Sequence, residues 1–188
     1  MRIIAGEWRG RKLKAPPGDA TRPTADRTRE GLFSMLTSRL GTFDGLLVAD
    51  LFAGSGALGL EALSRGASEA IMVENDAAAL RALRANIAAL GAEQRCDLRA
   101  TSALGLGPAR RFPDLILMDP PYGTGAGAVA LDKLQRLGWI GEATWISIET
   151  ARNEVIDVKG FDTEATRDFG KARIHLLRAA QGTVSLDE

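Results

Sequence analysis

The stretch LLVADLFAGSGALG, residues 46–59, combines a short apolar run, an acidic residue and a cluster of glycines. The apolar run is typical of a buried strand, and Asp50 stands at its end. The glycines favour a tight turn, because glycine adopts backbone conformations that other residues avoid. The apolar segment from Ala57 to Arg65 then predicts a helix. A strand, a glycine turn and a helix in this order form the first unit of an α/β sheet.

Strand and helix patterns continue to alternate along the chain. Further strands are predicted at residues 70–74, 97–101, 115–118 and 144–149, and helices at 24–40, 76–90 and 128–137. This alternation predicts a parallel sheet that helices cover on both faces. The last two strand patterns, 161–168 and 172–178, have no helix between them and predict an antiparallel hairpin at one sheet edge.

Residues 1–23 differ in composition from the rest of the chain. They hold three prolines and three glycines, a pattern that predicts a short arm or hairpin with an extended link. Thr24 is a favourable N-cap for the first helix. We therefore divide the chain into a basic N-terminal arm, 1–23, and one domain with a single core, 24–188.

Composition restricts the class of protein. The net charge is zero and the pI is near 6.6, so the chain as a whole lacks the basic footprint of many nucleic-acid binders. The charge is uneven, however: residues 1–30 carry a net charge of +4, which leaves −4 for the remainder. A basic arm on a mildly acidic body can still bind phosphates locally, although a solvated terminus would show the same pattern.

The same composition bears on cellular location. No apolar stretch approaches the length of a membrane span, and basic and acidic residues interrupt the N-terminus where a signal peptide would be apolar. The one cysteine, Cys96, cannot form an internal disulfide, and no Cys/His cluster indicates a metal site. We expect a cytoplasmic protein.

The carboxyl ends of the first strands predict a cofactor site. Glycines admit a ligand close to the backbone, and the next helix offers free N–H groups at its N-terminus. Glu74 ends the second strand, and its two oxygens can accept both hydroxyls of a ribose. Ser102-Ala103 follow the third strand and are expected beside an adenine. The residues predicted to bind the cofactor are Asp50, Phe52, Ala53, Gly54, Ser55, Gly56, Glu74, Asn75, Ser102, Ala103 and Asp119.

The spacing Gly54-x-Gly56-x-x-Gly59 also fits a dinucleotide-binding turn, so NAD-dependent oxidation is one alternative. In that turn a glycine follows the strand directly and admits a pyrophosphate. Here Asp50 ends the strand, and a carboxylate repels pyrophosphate but attracts an ammonium group. S-adenosylmethionine carries an ammonium and a sulfonium and no phosphate, so we expect it in preference to NAD.

Residues 119–122 read Asp-Pro-Pro-Tyr at the end of the strand pattern 115–118. The Asp119 carboxylate and the Pro120 carbonyl can accept hydrogen bonds from the exocyclic amine of a base, and Pro121 restricts Pro120 to extended geometry. Tyr122 offers a ring for base stacking, worth about 1–3 kcal/mol. We expect all four residues to be catalytic in group transfer to a flipped or unpaired base. The alternative is that the prolines only end the strand and Tyr122 packs.

The arm and the start of the first helix hold the predicted RNA contacts. Basic side chains there can pair with phosphates, and Trp8 can stack on RNA or pack in the core equally well. The predicted RNA-binding residues are Arg2, Trp8, Arg9, Arg11, Lys12, Arg22, Thr24 and Arg27. His175 alternates with apolar neighbours in a predicted edge strand, which indicates a structural role.

These motifs resemble those of the bacterial small-subunit (16S) ribosomal RNA guanine-N2 methyltransferases, and the resemblance covers nearly the whole chain. The matching segments are Arg2–Gly6, Arg22-Pro23-Thr24, Arg29–Phe33, Asp50–Ala62, Val73-Glu74, Asn86, Asp119–Tyr122 and Phe169-Gly170-Lys171. Two positions depart from the family pattern. Ser102 stands where Asn or Asp is common, and Phe169 replaces the usual Tyr.

The resemblance implies a Rossmann-like, seven-stranded class I methyltransferase sheet with a C-terminal antiparallel hairpin and a short N-terminal arm. It also implies methyl transfer from S-adenosylmethionine to the N2 amine of one guanine in 16S rRNA, within a small ribosomal subunit or an assembly intermediate. We further expect a monomer. Enzymes that methylate adenine N6 share the Asp-Pro-Pro-Tyr motif, so an adenine-N6 methyltransferase of DNA or RNA is an alternative. A non-catalytic RNA-binding assembly factor is another.

Overall fold

The structure is a computed structural model that describes residues 1–17 and 23–181. The helices in these residues are α1 (Pro23–Leu40), α2 (Ala57–Ser64), α3 (Ala77–Leu90) and α4 (Ala126–Arg136). The strands are β1 (Leu47–Asp50), β2 (Glu69–Glu74), β3 (Cys96–Ala100), β4 (Leu115–Met118), β5 (Trp145–Ala151), β6 (Phe161–Phe169) and β7 (Ala172–Ala179). Short 3-10 helices lie at Glu93–Arg95 and Ala103–Gly105.

Within the described residues, seven strands form one sheet in the order β3-β2-β1-β4-β5-β7-β6. The first five strands pair in parallel, and β7 is antiparallel to both β5 and β6. This confirms the predicted sheet with a C-terminal antiparallel hairpin. Chain connections leave β1 toward β2 on one side and return to β4 on the other, so the strand order reverses between β1 and β4.

The edge of the hairpin is β6, and the prediction that His175 lies in an edge strand is wrong. His175 belongs to β7, which pairs on both sides. The ring is buried, and its Nε2 lies 3.1 Å from Thr150 Oγ1 on the neighbouring β5. The ring therefore has a buried polar partner on the neighbouring strand, which agrees with a structural role.

Helices cover both faces of the sheet because strand side chains alternate between two apolar clusters. Val48 of β1 joins the cluster under α1, α2 and α3, whereas its neighbour Ala49 joins the cluster under α4. We call these two sides the arm face and the α4 face. Ile3, Trp8 and Leu13 of the N-terminal arm are buried in the arm-face cluster, so the arm shares its core with the helices.

Helix starts follow the local sequence. The Asp76 carboxylate accepts a hydrogen bond from the Ala79 N–H at 2.8 Å, so of the two residues that the sequence allows as caps, Asn75 and Asp76, it is Asp76 that caps α3. The first helix begins at Pro23, one residue before the predicted Thr24 cap. Proline is well tolerated in a first turn because the N–H that it lacks would have no partner there. Arg22 lies outside the described residues.

Glu61 fastens the arm to α2. Its side chain is fully buried, at 0% exposure. One oxygen accepts the Ile4 N–H at 2.7 Å, and the other accepts the Ala5 N–H at 3.0 Å and Arg65 Nε at 2.8 Å. A buried carboxylate is tolerable only when such partners replace its water. The backbone of the arm is therefore part of the environment that lets Glu61 stay buried.

Neighbouring contacts also fasten the arm to the helices. Ser64 Oγ accepts the Trp8 N–H at 2.9 Å and donates to the Ala5 carbonyl at 2.6 Å. Arg29, only 4% exposed, donates to the carbonyl of Arg2. An antiparallel bridge between Arg2 and Lys12 closes the arm on itself. Among the residues that the structure describes, no helix has the length and apolar character needed to cross a membrane.

Glu61→Ala is expected to destabilise the protein by about 3–5 kcal/mol, because it leaves Arg65 and two backbone N–H groups without a buried acceptor. Urea denaturation measures the loss, and limited proteolysis should show earlier cleavage within residues 1–13. Glu69→Ala is the control, since the ion pair of Glu69 with Arg111 lies at the surface. Equal stability and equal arm protection in the Glu61 variant would contradict the fastening role.

Candidate active site

The pairing of β1 with β4 brings the two predicted motifs to one end of the sheet, the edge formed by the carboxyl ends of its parallel strands. Asp50 is the register partner of Leu117, and the Leu51 N–H donates to the Leu117 carbonyl at 3.0 Å. Because the strands are parallel, the glycine turn after β1 and the tetrapeptide Asp119–Tyr122 leave the same edge. This edge lies where the strand order reverses, the usual place for ligands in open α/β sheets.

Asp50 is a buried carboxylate that lacks one partner. It is 1% exposed, and its Oδ2 accepts the Gly59 N–H at 2.9 Å, while Oδ1 has no hydrogen-bond partner among the described atoms. Burial raises its pKa from the usual 3.8 to about 7, and the nearby charge of Glu74 adds to the rise, while the backbone N–H groups of Gly59 and, more weakly, Phe52 oppose it. An orphaned buried oxygen is costly, and a cationic ligand group would remove that cost.

The turn after Asp50 needs its glycines. Gly56 has φ +87°, and a Cβ there would come within 2.5 Å of Leu83 Cδ1. At Gly59 a Cβ would lie 2.7 Å from Met72 Cε and 3.3 Å from Asp50 Oδ2. A side chain at position 59 would displace the end of the Met72 side chain and crowd Asp50 Oδ2 at its contact with the Gly59 N–H. The turn is thus shaped by packing as well as by any ligand.

Glu74 holds the same turn from the neighbouring strand. Its Oε2 accepts the Gly54 N–H at 2.8 Å, and its Oε1 accepts the N–H groups of Asn75 and Asp76, both at 2.7 Å. Sequence reasoning assigned Glu74 to a ribose and missed these structural bonds. An ionised carboxylate has about four lone-pair sites, two on each oxygen, so the three N–H groups leave one site, on Oε2, for a ligand hydroxyl.

The remaining predicted cofactor residues lie along this edge. Phe52 is half-buried and Ala53 is buried, with the Ala53 N–H donating to the Val73 carbonyl at 3.0 Å. Ser102 lies just beyond β3 and precedes the 3-10 helix Ala103–Gly105. The last residue of β3, Ala100, is the register partner of Glu74. The predicted positions on β1, β2 and β3 therefore follow one another across the sheet.

The tetrapeptide lies at the surface of the edge. Pro120 is buried, Asp119 and Pro121 are exposed, and Tyr122 is 48% exposed. The Tyr122 hydroxyl donates to Glu149 Oε1 on β5. The pKa of Tyr122 is raised, first by burial and then by this bond to Glu149. The ring keeps an accessible surface for stacking while its hydroxyl is anchored.

Most predicted RNA-binding side chains of the described residues are exposed, namely Arg2, Arg9, Arg11, Lys12 and Arg27. Trp8 is the exception. It is 6% exposed, and Arg95 lies over its ring with the guanidinium carbon 5.2 Å from the ring centre. The burial favours the packing alternative and leaves no ring face for a base. The side chain of Thr24 and all of Arg22 lie outside what the structure describes.

Asn86 links the arm to the glycine turn. It is 1% exposed, and its amide donates to the Ser55 carbonyl at 2.8 Å and to the Lys14 carbonyl at 2.9 Å. Its Oδ1 accepts the Lys14 N–H at 2.7 Å. The predicted RNA-binding arm and the predicted cofactor turn therefore share one buried side chain.

Sequence reasoning gave no role to Glu61 or Glu149 and only matched Asn86 to a family pattern. A signal existed for two of them. Glu61 interrupts the apolar segment LGLEAL, and Asn86 falls on the apolar face of α3, both of which indicate buried polar groups with partners. Glu149 gave no such signal, because an acid at a strand end is ordinary.

The chain is similar to named proteins over most of its length. The family profile described as Conserved hypothetical protein 95 matches residues 1–178. Ribosomal RNA small subunit methyltransferase D of Escherichia coli (strain K12) is 38% identical over 150 residues, covering 80% of this chain and 74% of that protein. The protein of the same name from Haemophilus influenzae is 35% identical over 158 residues, covering 82% and 80%. Among solved structures, yhhF from Escherichia coli superposes with a TM-score of 0.83 at 34% identity, covering 95% of this chain and 97% of that one.

The raised pKa of Asp50 predicts a pH-dependent stability in the ligand-free protein. Between pH 3.8 and about 7 the folded protein keeps a proton on Asp50 that the unfolded chain loses. Stability therefore falls as pH rises through this window, by on the order of 4 kcal/mol at most. Asp50→Asn removes this titration. The melting temperature of the variant should therefore exceed that of wild type at pH 8, and by more than at pH 5.

Thermal denaturation of the ligand-free proteins across this pH range measures the effect. Asp162→Asn on the exposed edge strand β6 is the matched control and should follow wild type. Parallel pH curves for wild type and the Asp50 variant would show that Asp50 does not titrate in this window.

Proposed function

The chain belongs to the Conserved hypothetical protein 95 family, of the ribosomal RNA small subunit methyltransferase D type, and we propose that it transfers a methyl group from S-adenosylmethionine to ribosomal RNA. Its fold is that of the class I S-adenosylmethionine-dependent methyltransferases. The observation that carries the proposal is the meeting of the Asp50 turn and the Asp119 tetrapeptide at one sheet edge.

The residues at this edge fit S-adenosylmethionine. The orphaned Oδ1 of Asp50 is suited to the ammonium group, and binding of that cation would lower the pKa of the carboxylate. Glu74 Oε2 retains acceptor capacity for one ribose hydroxyl, and the glycine turn offers close backbone approach. Ser102-Ala103 are proposed to contact the adenine. When bound, this cofactor supplies a methyl group that its sulfonium has already activated.

The chain then has mainly to align the acceptor amine. The Asp119 carboxylate accepts an amine N–H, and the Pro120 carbonyl, on a backbone that two prolines restrain, accepts the other. Tyr122 holds the plane of the base by stacking. Together these contacts orient the nitrogen lone pair toward the methyl carbon, and such positioning is a large source of rate enhancement. No covalent nucleophile takes part.

We propose the N2 amine of one guanine in 16S rRNA as the acceptor. The support is the resemblance of the N-terminal signature to the guanine-N2 enzymes. The exposed cations of the arm suit a phosphate backbone, and a zero net charge suits a target in a small ribosomal subunit or assembly intermediate, where ribosomal proteins share recognition. We propose that the enzyme acts as a monomer.

Asp119→Ala is expected to lower methyl transfer at least about 100-fold, because it removes an oriented acceptor for the amine. Affinity for S-adenosylmethionine, measured by calorimetry, should largely survive. The assay follows tritium from labelled cofactor into small ribosomal subunits from a strain that lacks the gene. Mass spectrometry of the rRNA then identifies the modified base. Asp132→Ala, at an exposed site on α4, is the control.

Three outcomes would count against the proposal. Wild-type turnover by the Asp119 variant would remove that carboxylate from the chemistry. A methyl group on adenine N6 would favour the adenine alternative. Failure of the wild-type protein to label subunits, 16S rRNA or assembly intermediates would favour a non-catalytic assembly factor.

A further inference from the structure

Glu149 lies two residues before the end of β5, one strand from the proposed catalytic tetrapeptide. Met118 and Ile148 are register partners in the parallel pair of β4 and β5, so the next positions are Asp119 and Glu149. Neighbouring strands are about 4.8 Å apart. Ile146 and Ile148 belong to the α4-face cluster, and strand alternation therefore places Glu149 on the arm face.

The same alternation applies to the other strands of this edge. Asp50 lies two residues after Val48, and Glu74 lies two residues after Met72; Val48 and Met72 belong to the arm-face cluster. Asp119 likewise lies two residues after Leu117 of that cluster. Four adjacent strands thus carry a carboxylate on one side of the sheet: at the last residue of β1 and of β2, directly after β4, and two residues before the end of β5. The proposed function uses the first three and gives no role to Glu149.

The contact with Tyr122 brings Glu149 to the acceptor base. The Tyr122 hydroxyl donates to Glu149 Oε1, so the carboxylate contacts the hydroxyl of the side chain on which the base is proposed to stack. That hydroxyl occupies one of about four acceptor positions on an ionised carboxylate. The remaining acceptor capacity lies next to the stacking surface.

The surroundings of Glu149 make its hydrogen bonds selective. The side chain is partly buried, and burial raises its pKa while the bond from Tyr122 opposes the rise. Where water competes poorly, a matched hydrogen bond is stronger and a mismatched one costs more. A carboxylate in such a place discriminates between a donor and an acceptor presented to it.

We propose that Glu149 reads the Watson–Crick edge of the acceptor base by accepting the N1–H of guanine. This inference rests on the proposed function. Guanine presents N1–H beside its N2 amine, whereas adenine presents an unprotonated N1 beside its N6 amine. The Glu149 carboxylate accepts the N1–H of guanine, whereas it would meet the N1 of adenine as one acceptor facing another. Asp119 and Pro120 alone do not distinguish the two bases, since both bases carry an exocyclic amine.

A purely positioning role for Glu149 gives a different expectation. If the carboxylate only anchored Tyr122, Glu149→Gln would keep the anchor, because the glutamine carbonyl still accepts the tyrosine hydroxyl. Tyr122→Phe removes the anchor and keeps the ring. The two variants therefore separate anchoring from base reading.

The test compares two acceptors in reconstituted small subunits. One carries guanine at the mapped target position and the other carries 2-aminopurine, which keeps the C2 amine and lacks N1–H. Wild type is expected to methylate guanine roughly 10- to 100-fold faster in kcat/KM, the range for one hydrogen bond to a charged group. Glu149→Gln should lose most of this preference, because with its carbonyl on the Tyr122 hydroxyl its NH2 group meets guanine N1–H donor to donor and slows transfer to guanine. Tyr122→Phe should slow both acceptors alike and keep the preference.

The possible results test the role of Glu149 and the proposed function separately. Equal rates on guanine and 2-aminopurine in wild type would overturn the role of Glu149 without any variant. An unchanged preference in Glu149→Gln would do the same, provided its melting temperature and its S-adenosylmethionine affinity match wild type. Absence of methylation of the guanine subunits by wild type would contradict the proposed function instead.

Discussion

The parallel pairing of β1 with β4 is the constraint on which the site depends. Two motifs far apart in sequence share an edge because Asp50 lies in register with Leu117 and both strands run in the same direction. The pairing lies between two short, fully buried strands, so each slip in register would move apolar side chains from one cluster to the other. Hydrophobic packing of the strands thereby sets the separation of the two motifs.

Buried and partly buried polar side chains link the arm, the glycine turn and the proposed cofactor site. Glu74 closes the glycine turn through three backbone N–H groups and still has one lone-pair site, on Oε2, for a ligand. Asn86 joins the arm to the same turn, so contacts of the arm with RNA and contacts of the turn with cofactor share one scaffold. Glu61 holds the arm against α2. The arm is therefore a packed part of the domain whose outer surface carries the cations.

The sequence was sufficient for features that depend on local pattern. The strand at residues 115–118, the Asp76 cap and the alternation of strands with helices all follow from periodicity and capping chemistry. It was insufficient where distant segments meet. Trp8 could equally have been exposed or buried, because only the fold brings Arg95 over its ring. His175 was assigned to an edge, since the sequence does not say which strand of a hairpin pairs with β5. The bond between Tyr122 and Glu149 depends on strand order in the same way.

A crystal structure of the protein with S-adenosylhomocysteine, the demethylated form of the cofactor, is the sharpest test of the shared edge. We predict that the amino group of the ligand lies within about 3 Å of Asp50 Oδ1 and a ribose hydroxyl at a similar distance from Glu74. We also predict that the sulfur faces the loop Asp119–Tyr122. Density for the ligand at another edge of the sheet, or with its sulfur directed away from that loop, would contradict the proposed arrangement.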